Sequence, residues 1–369
     1  MAIITTFTGT RDKFFEEVSK IGAETQKVTI TNAGYTIADL LDIKAAATNA
    51  TIVLQAAANP QLEGTAADLI DALADIKYSG AITLSEALTD ATVLANVLAL
   101  TTGKVTADVS GTATNLVTAL ADEKTVNALT VTVGAGAVNA SDLKILDAKT
   151  SVTVDASLVT AITGTAAELK TVLAAKTITL DTTAVAVTVD GKVSAADLNT
   201  IANATTGAVK ADVTGSAAAL NAALKEVSAN AITVILTGTT ATAKDLKELA
   251  TKTSLPIDAS GIETITGNAA DVKAALAIAS LVAGTVAVTV TGAVTVSDIA
   301  AIKLLAATGV IKATLEGSAT ELATLATSNS DLLTLKVTGT TATATELIAI
   351  DAATSVKVNA SAVTSITGR

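Results

Sequence analysis

The chain of 369 residues contains no cysteine, no histidine and no tryptophan. Without cysteine there is no disulfide, no thiolate metal site and no thiol nucleophile. Without histidine, Ser-His-Asp and Cys-His catalysis and imidazole–metal chemistry are excluded too. Aromatic residues are nearly absent: Phe7, Phe14, Phe15, Tyr35 and Tyr78 are all of them. Beyond Tyr78 a core must be made of Ala, Val, Ile, Leu and threonine methyls. Large globular cores lean on bulky aromatic side chains, whereas a core one or two layers deep does not need them. Arginine occurs only at Arg11 and Arg369, and the formal net charge is −11. That balance argues against nucleic acid, whose phosphates need clustered Lys and Arg, and against anionic membrane surfaces. No window approaches the ~18 uninterrupted apolar residues of a membrane-spanning helix. The first ten residues lack the basic and apolar stretches of a secretory signal.

What the chain has in abundance is repetition. The segment Glu63-Gly64-Thr65-Ala66-Ala67-Asp68-Leu69 returns in altered form around Gly111, Gly164, Gly215, Gly267 and Gly317, and begins again at Gly368. Successive differences between those glycine numbers are 47, 53, 51, 52, 50 and 51. A second motif lies midway. It reads Ser194-Ala195-Ala196-Asp197-Leu198, with copies starting at Thr36, Asn139, Thr242, Thr295 and Thr343 and a degenerate one at Asp90. The elementary unit is therefore about 25 residues long, alternating between two flavours, which is the length of one solenoid coil.

Both motifs are capping boxes. A Ser, Thr or Asn side chain accepts from an unpaired N–H of a helix start, and an acid three residues on reaches back while facing the positive helix end. Each copy predicts a helix of about ten residues, for example over 166–175 and 195–204. Leu169, Val172 and Leu173 mark one buried stripe, and Leu198, Ile201 and Ala202 mark another. Asn139 is assigned the same capping role. Between helices lie runs rich in β-branched residues, over 186–189, 231–237, 286–291 and 333–338, ending at Gly, Asn or Asp. Some coils predict two short strands about a turn, as in 152–155 and 159–162. Segments 256–260 and 358–361 recur at the same phase.

The expected fold is α/β: an elongated solenoid of about 25-residue strand–helix coils, paired into about 51-residue repeats, with a parallel β-sheet. Residues 1–27 stand outside the repeat and are expected to form an N-terminal cap or docking segment. Residues 28–369 are expected to form continuous repeats, ending in mid-repeat, as a fragment of a longer chain would.

Candidate chemistry is sparse. The recurring acids sit where capping explains them, and no Gly-Lys-Ser/Thr follows the glycine turns, so no enzyme is expected. Hard oxygen ligands at turns suit Ca²⁺. The candidates are Asp155, Asp190, Asp258 and Asn359, against the plainer reading of ordinary Asx turns. Asp181 lies at a similar turn. Asn49, Asn139, Asn203 and Asn359 open glycosylation sequons, which are cheap in so threonine-rich a chain.

The Thr/Ala/Val-rich, acidic, cysteine-free composition, with repeats such as Ile162-Thr163-Gly164-Thr165-Ala166-Ala167-Glu168-Leu169, resembles bacterial surface-layer proteins and giant adhesins exported by type I secretion. That resemblance implies an extracellular location on the bacterial cell surface, export without an N-terminal signal, and calcium-assisted assembly with copies of itself or on cell-envelope polysaccharide. The chain lacks the Gly-Gly-x-Gly-x-Asp nonapeptides of that group. The expected function is a surface-layer lattice or envelope scaffold subunit. The alternative is a secreted adhesin recognising another cell, a glycan or a protein, which would show itself as a patch that breaks the repeat.

Overall fold

The structure, a computed structural model, describes residues 4–55, 59–224, 231–306 and 309–368. It is α/β, with short helices alternating with strands that pair in parallel. Each strand pairs with the strand of the next coil. Thr6 lies opposite Lys27, Lys27 opposite Thr51, Ile82 opposite Val105, Thr264 opposite Ala287, and Lys312 opposite Leu332. The partners are 20 to 24 residues apart by subtraction of such numbers, so consecutive coils are hydrogen-bonded neighbours. Side chains alternate inward and outward along the strands, as in Val105–Gly111, where Val105, Ala107 and Val109 are buried and Thr106 and Asp108 exposed.

The contacts divide the chain into two compact units, 1–187 with 204–207, and 188–203 with 208–369. In the first, Thr6–Gly9, Lys27–Ile30 and Thr51–Leu54 form a three-stranded sheet. A six-stranded sheet runs in the order Ile178–Leu180, Val154–Ala156, Ala128–Val133, Val105–Gly111, Ile82–Leu84, Leu62–Gly64. In the second, Leu281–Ala283, Ile257–Ala259, Ala231–Leu236 and Val209–Gly215 are successive neighbours. A five-stranded sheet joins Thr240–Thr242, Thr264–Gly267, Ala287–Val290, Ile311–Gly317 and Leu332–Val337, and Ser365–Thr367 pairs with Thr341–Thr343.

The helices begin where the capping boxes place them. Ala166–Ala174 follows Thr165, whose hydroxyl accepts from the Glu168 N–H while the Glu168 carboxylate accepts from the Thr165 N–H. Thr36, Ser318 and Thr343 make the same reciprocal pair. The degenerate copy works as well, since Asp90 caps Ala91–Ala99. Asn139 departs from expectation: it occupies the N-cap position of Ala140–Lys149, but its side chain makes no capping hydrogen bond. Leu169 and Val172 are buried as a stripe, as are Leu198 and Ile201.

Residues 4–27 join the ladder as its first coil. Thr6–Gly9 and the helix Arg11–Glu17, capped by Thr10, make a coil whose strand pairs with Lys27–Ile30. Phe14 is fully buried, edge-on to Phe7 at 5.3 Å and to Phe15 at 5.5 Å between centroids. Phe7 and Phe14 thus fill the interior of the first coil, while Phe15 is half-buried under the Arg11 guanidinium, 5.4 Å from its ring centroid.

The pattern of elements shows a longer period than two flavours. Seven-residue strands leading into a helix recur as Val105–Gly111, Val209–Gly215 and Ile311–Gly317, whose first residues differ by 104 and 102. The strands next in the ladder recur as Ala128–Val133, Ala231–Leu236 and Leu332–Val337, differing by 103 and 101. The repeat is therefore a block of four coils. Threonines at equivalent places in the blocks stitch coil to coil. The Thr150 hydroxyl donates to the Leu129 carbonyl at 2.6 Å and accepts from the Leu129 N–H at 3.0 Å. Thr354 does the same to Leu333 at 2.8 and 2.9 Å, and the Thr253 hydroxyl reaches the Ile232 carbonyl. Each such hydroxyl satisfies buried backbone groups where a helix gives way to the next strand.

Candidate functional site

The four turn residues proposed for Ca²⁺ are placed one by one along the repeat. Asp155 accepts from the Ser157 N–H at 3.0 Å, Asp258 from the Ser260 N–H at 3.0 Å, and Asn359 from the Ser361 N–H at 3.1 Å. These are Asx turns, repeated once per block. The Asp155 carboxyl is held below its ordinary range by the Ser157 hydroxyl and N–H. Asp258 is lowered in the same way by Ser260, with Lys192 adding positive charge nearby. Asp190 is exposed within Ala186–Val193, just before Gly191, whose φ of +74° turns the chain. Asp181, at an equivalent kind of turn, is held low by the hydroxyl and N–H of Thr183.

Asp155 is registered with Thr132 and Thr179, Asp258 with Ile235 and Val282, and Asn359 with Lys336. Among the described residues no three acidic side chains gather into a metal-binding group. Ca²⁺ takes about six to eight oxygens, and an Asx turn with one carboxylate offers few of them. A cleft of about 160 Å³ is lined by Thr112, Ala113, Thr163 and neighbouring small residues, none of them ionisable, while Glu316 and Glu321 line another.

Two polar arrangements were not read from the sequence. The first links successive helices. Lys247 bridges to Asp271, and Lys273 to Asp298 at 2.6 Å. The acids are the N3 residues of the following helices, so each carboxylate serves its own cap and the previous helix at once. Asp298 is pulled down to about 2, first by Lys273 and then by Thr295. The second is a buried node. Asp331 is fully buried and accepts from Lys303 Nζ at 3.0 and 3.2 Å, the Ile311 N–H at 2.9 Å and the Ser328 N–H at 3.1 Å. In the first block the same place is held by Asn127, which accepts from the Val105 N–H at 2.8 Å, with Leu98 at the position of Lys303. The second-block counterpart, Asn230, lies outside the described residues. An internal comparison of aligned blocks, Asn with Leu against Asp with Lys, was the signal available to find it.

No family model matches the chain, and no curated protein matches it. Among solved structures it is similar to the plant peptide hormone receptor RGFR1 in complex with RGF2, at 9% identity and a TM-score of 0.19 over 98% of this chain and 76% of that one. A likeness so slight carries no argument.

Proposed function

We propose that the chain is a structural protein, a continuous solenoid that serves as a surface-layer or envelope scaffold subunit on the outside of a bacterial cell and assembles with copies of itself. The observation behind this reading is the four-coil block, repeated with the same caps, threonine stitches and Asx turns. Repetition of this kind makes length and a regular surface. Catalysis needs the opposite, a few unlike reactive groups converging on one place. The recurring acids are engaged as caps and turns, so their regularity has a structural cause. No helix among the described residues is long and apolar enough to cross a membrane. Calcium enters this proposal as an assembly aid through the turns at Asp155, Asp190, Asp258 and Asn359, and envelope polysaccharide as a surface to lie on.

The test is electron microscopy and sedimentation of the purified chain across a range of concentrations, with millimolar CaCl₂ or with EDTA. Ordered sheets or filaments are expected. A chain that stays monomeric at high concentration in both conditions refutes the scaffold reading.

A further inference from the structure

Resting on that reading, we propose the surface through which copies join: the outward sheet face carrying Asp108 and Asp155 in one copy docks on the outward sheet face carrying Lys312 and Lys357 in a second copy.

The first argument is a departure from the repeat. The strand Val105–Gly111 has Thr106 and Asp108 on its outward face. Its counterparts have Lys210 and Asp212, then Lys312 and Thr314. Two strands further on, the Asx-turn residues are Asp155, Asp258 and Asn359, and two places before them stand Thr153, Pro256 and Lys357. These equivalent places carry two acids in the first block, two acids and a lysine in the second, and two lysines in the third. The caps and stitches repeat while the charge on this face changes sign. The coil itself does not require the change, since threonine serves at Thr106, Thr153 and Thr314.

The second argument is that these charges are available. Asp108, Lys312 and Lys357 are exposed and Asp155 is half-buried. Among the described residues none of the four is in an ion pair, and the nearby Glu316 is taken by Lys336 at 3.0 Å. This exposure does not come from an open edge of the ladder. Thr106 and Thr153, at the places of Lys312 and Lys357 but with a paired strand on either side, are exposed as well.

The third argument is spacing. Asp108 lies opposite Thr130, and Thr132 lies opposite Asp155, so Asp155 is two strands on and two residues along from Asp108. Lys312 lies opposite Leu332, and Lys336 opposite Asn359, which sets Lys357 level with Thr334. Lys357 is therefore also two strands on and two residues along from Lys312. With strands ~4.8 Å apart and ~3.3 Å per residue, both pairs are separated by about 12 Å. Lys104 precedes the first strand, off the diagonal that the acids define. A long lysine opposite a short aspartate spans the ~10 Å between packed sheets. One chain carries both halves of the match, so the occupant of each is a second copy.

The experiment is sedimentation velocity and electron microscopy on the full chain, in whichever of CaCl₂ or EDTA the wild type assembles. All substitutions fall on outward side chains, and circular dichroism checks that each variant is folded. Raising NaCl from about 50 to 500 mM should raise the concentration needed for wild-type assembly about tenfold, because ion pairs at a wet surface are screened. Lys312→Glu with Lys357→Glu should leave a monomer, and so should Asp108→Lys with Asp155→Lys. An equimolar mixture of these two double variants should assemble again, each meeting the opposite sign only on the other. Salt-indifferent assembly, or undiminished assembly by either variant alone, overturns this surface and leaves the scaffold reading standing. Two monomeric variants that fail to assemble together also overturn it. A monomeric wild type removes both.

Discussion

Replacing Lys303 with methionine tests the buried node most directly. The substitution keeps the length of the side chain and removes its charge, leaving the fully buried Asp331 carboxylate with the Ile311 and Ser328 N–H groups alone. Losing one partner of a buried ion pair costs about 3–5 kcal/mol. The two remaining N–H donors and the 24% exposure of Lys303 place the loss near the lower end, at about 3 kcal/mol. The damage is local, so hydrogen exchange is the suitable assay. The Ile311 and Leu333 amides should exchange about 150-fold faster, at 1.36 kcal/mol per decade. The double variant Lys303→Met with Asp331→Asn recreates the chemistry of the first block, where Asn127 accepts from the Val105 N–H beside Leu98. It should return to within about 1 kcal/mol of wild type, the coupling expected of residues in contact. If the single variant exchanges like wild type, or the double is no better than the single, the account of the node is wrong.

Thr354→Val should destabilise by about 2–3 kcal/mol in urea unfolding, because the buried N–H and carbonyl of Leu333 both lose their partner, whereas Thr354→Ser should stay close to wild type. Gly309→Ala should cost about 2–3 kcal/mol by the same measurement, since a Cβ there meets the Val286 carbonyl. Gly292→Ala, at φ +78° with open space around it, should cost only about 1 kcal/mol. The depressed pKa of Asp298 contributes stability that is present above the ordinary carboxylate value and is lost as pH falls toward about 2. Acid unfolding followed by circular dichroism should therefore show wild type losing its advantage over Asp298→Asn between about pH 4 and 2.

Much of the local structure was legible because it is governed locally. Thr165 with Glu168, or Thr36 with Asp39, fixes a helix start within four residues, and the alternation in 231–237 fixes a strand. The period was legible from the glycines, but its true length was not. The two flavours differ subtly in sequence, and the four-coil block emerges from which strands are long and which divide at an Asx turn. Asn139 shows the limit of motif reading, because a capping residue in the right place makes no cap bond. Phe7 and Phe14 look unlike the later coils, yet they fill the same inward positions with larger side chains. The Lys303–Asp331 node joins residues 28 apart in sequence, and neither residue belongs to a local pattern. As for the turn acids, their phase along the chain was legible, while the neighbours of Asp155 and Asp258 depend on the register of the ladder.

The threonine stitches have an evolutionary corollary. Across coils, Thr150, Thr253 and Thr354 each bond to the coil immediately before their own. A gene that gained or lost one whole block by unequal recombination would hand every retained threonine the same kind of neighbour it had before. Variation in the number of blocks is thus nearly neutral for folding, while an insertion of half a coil would set each hydroxyl against the wrong carbonyl. Relatives of this chain should differ in length by whole blocks.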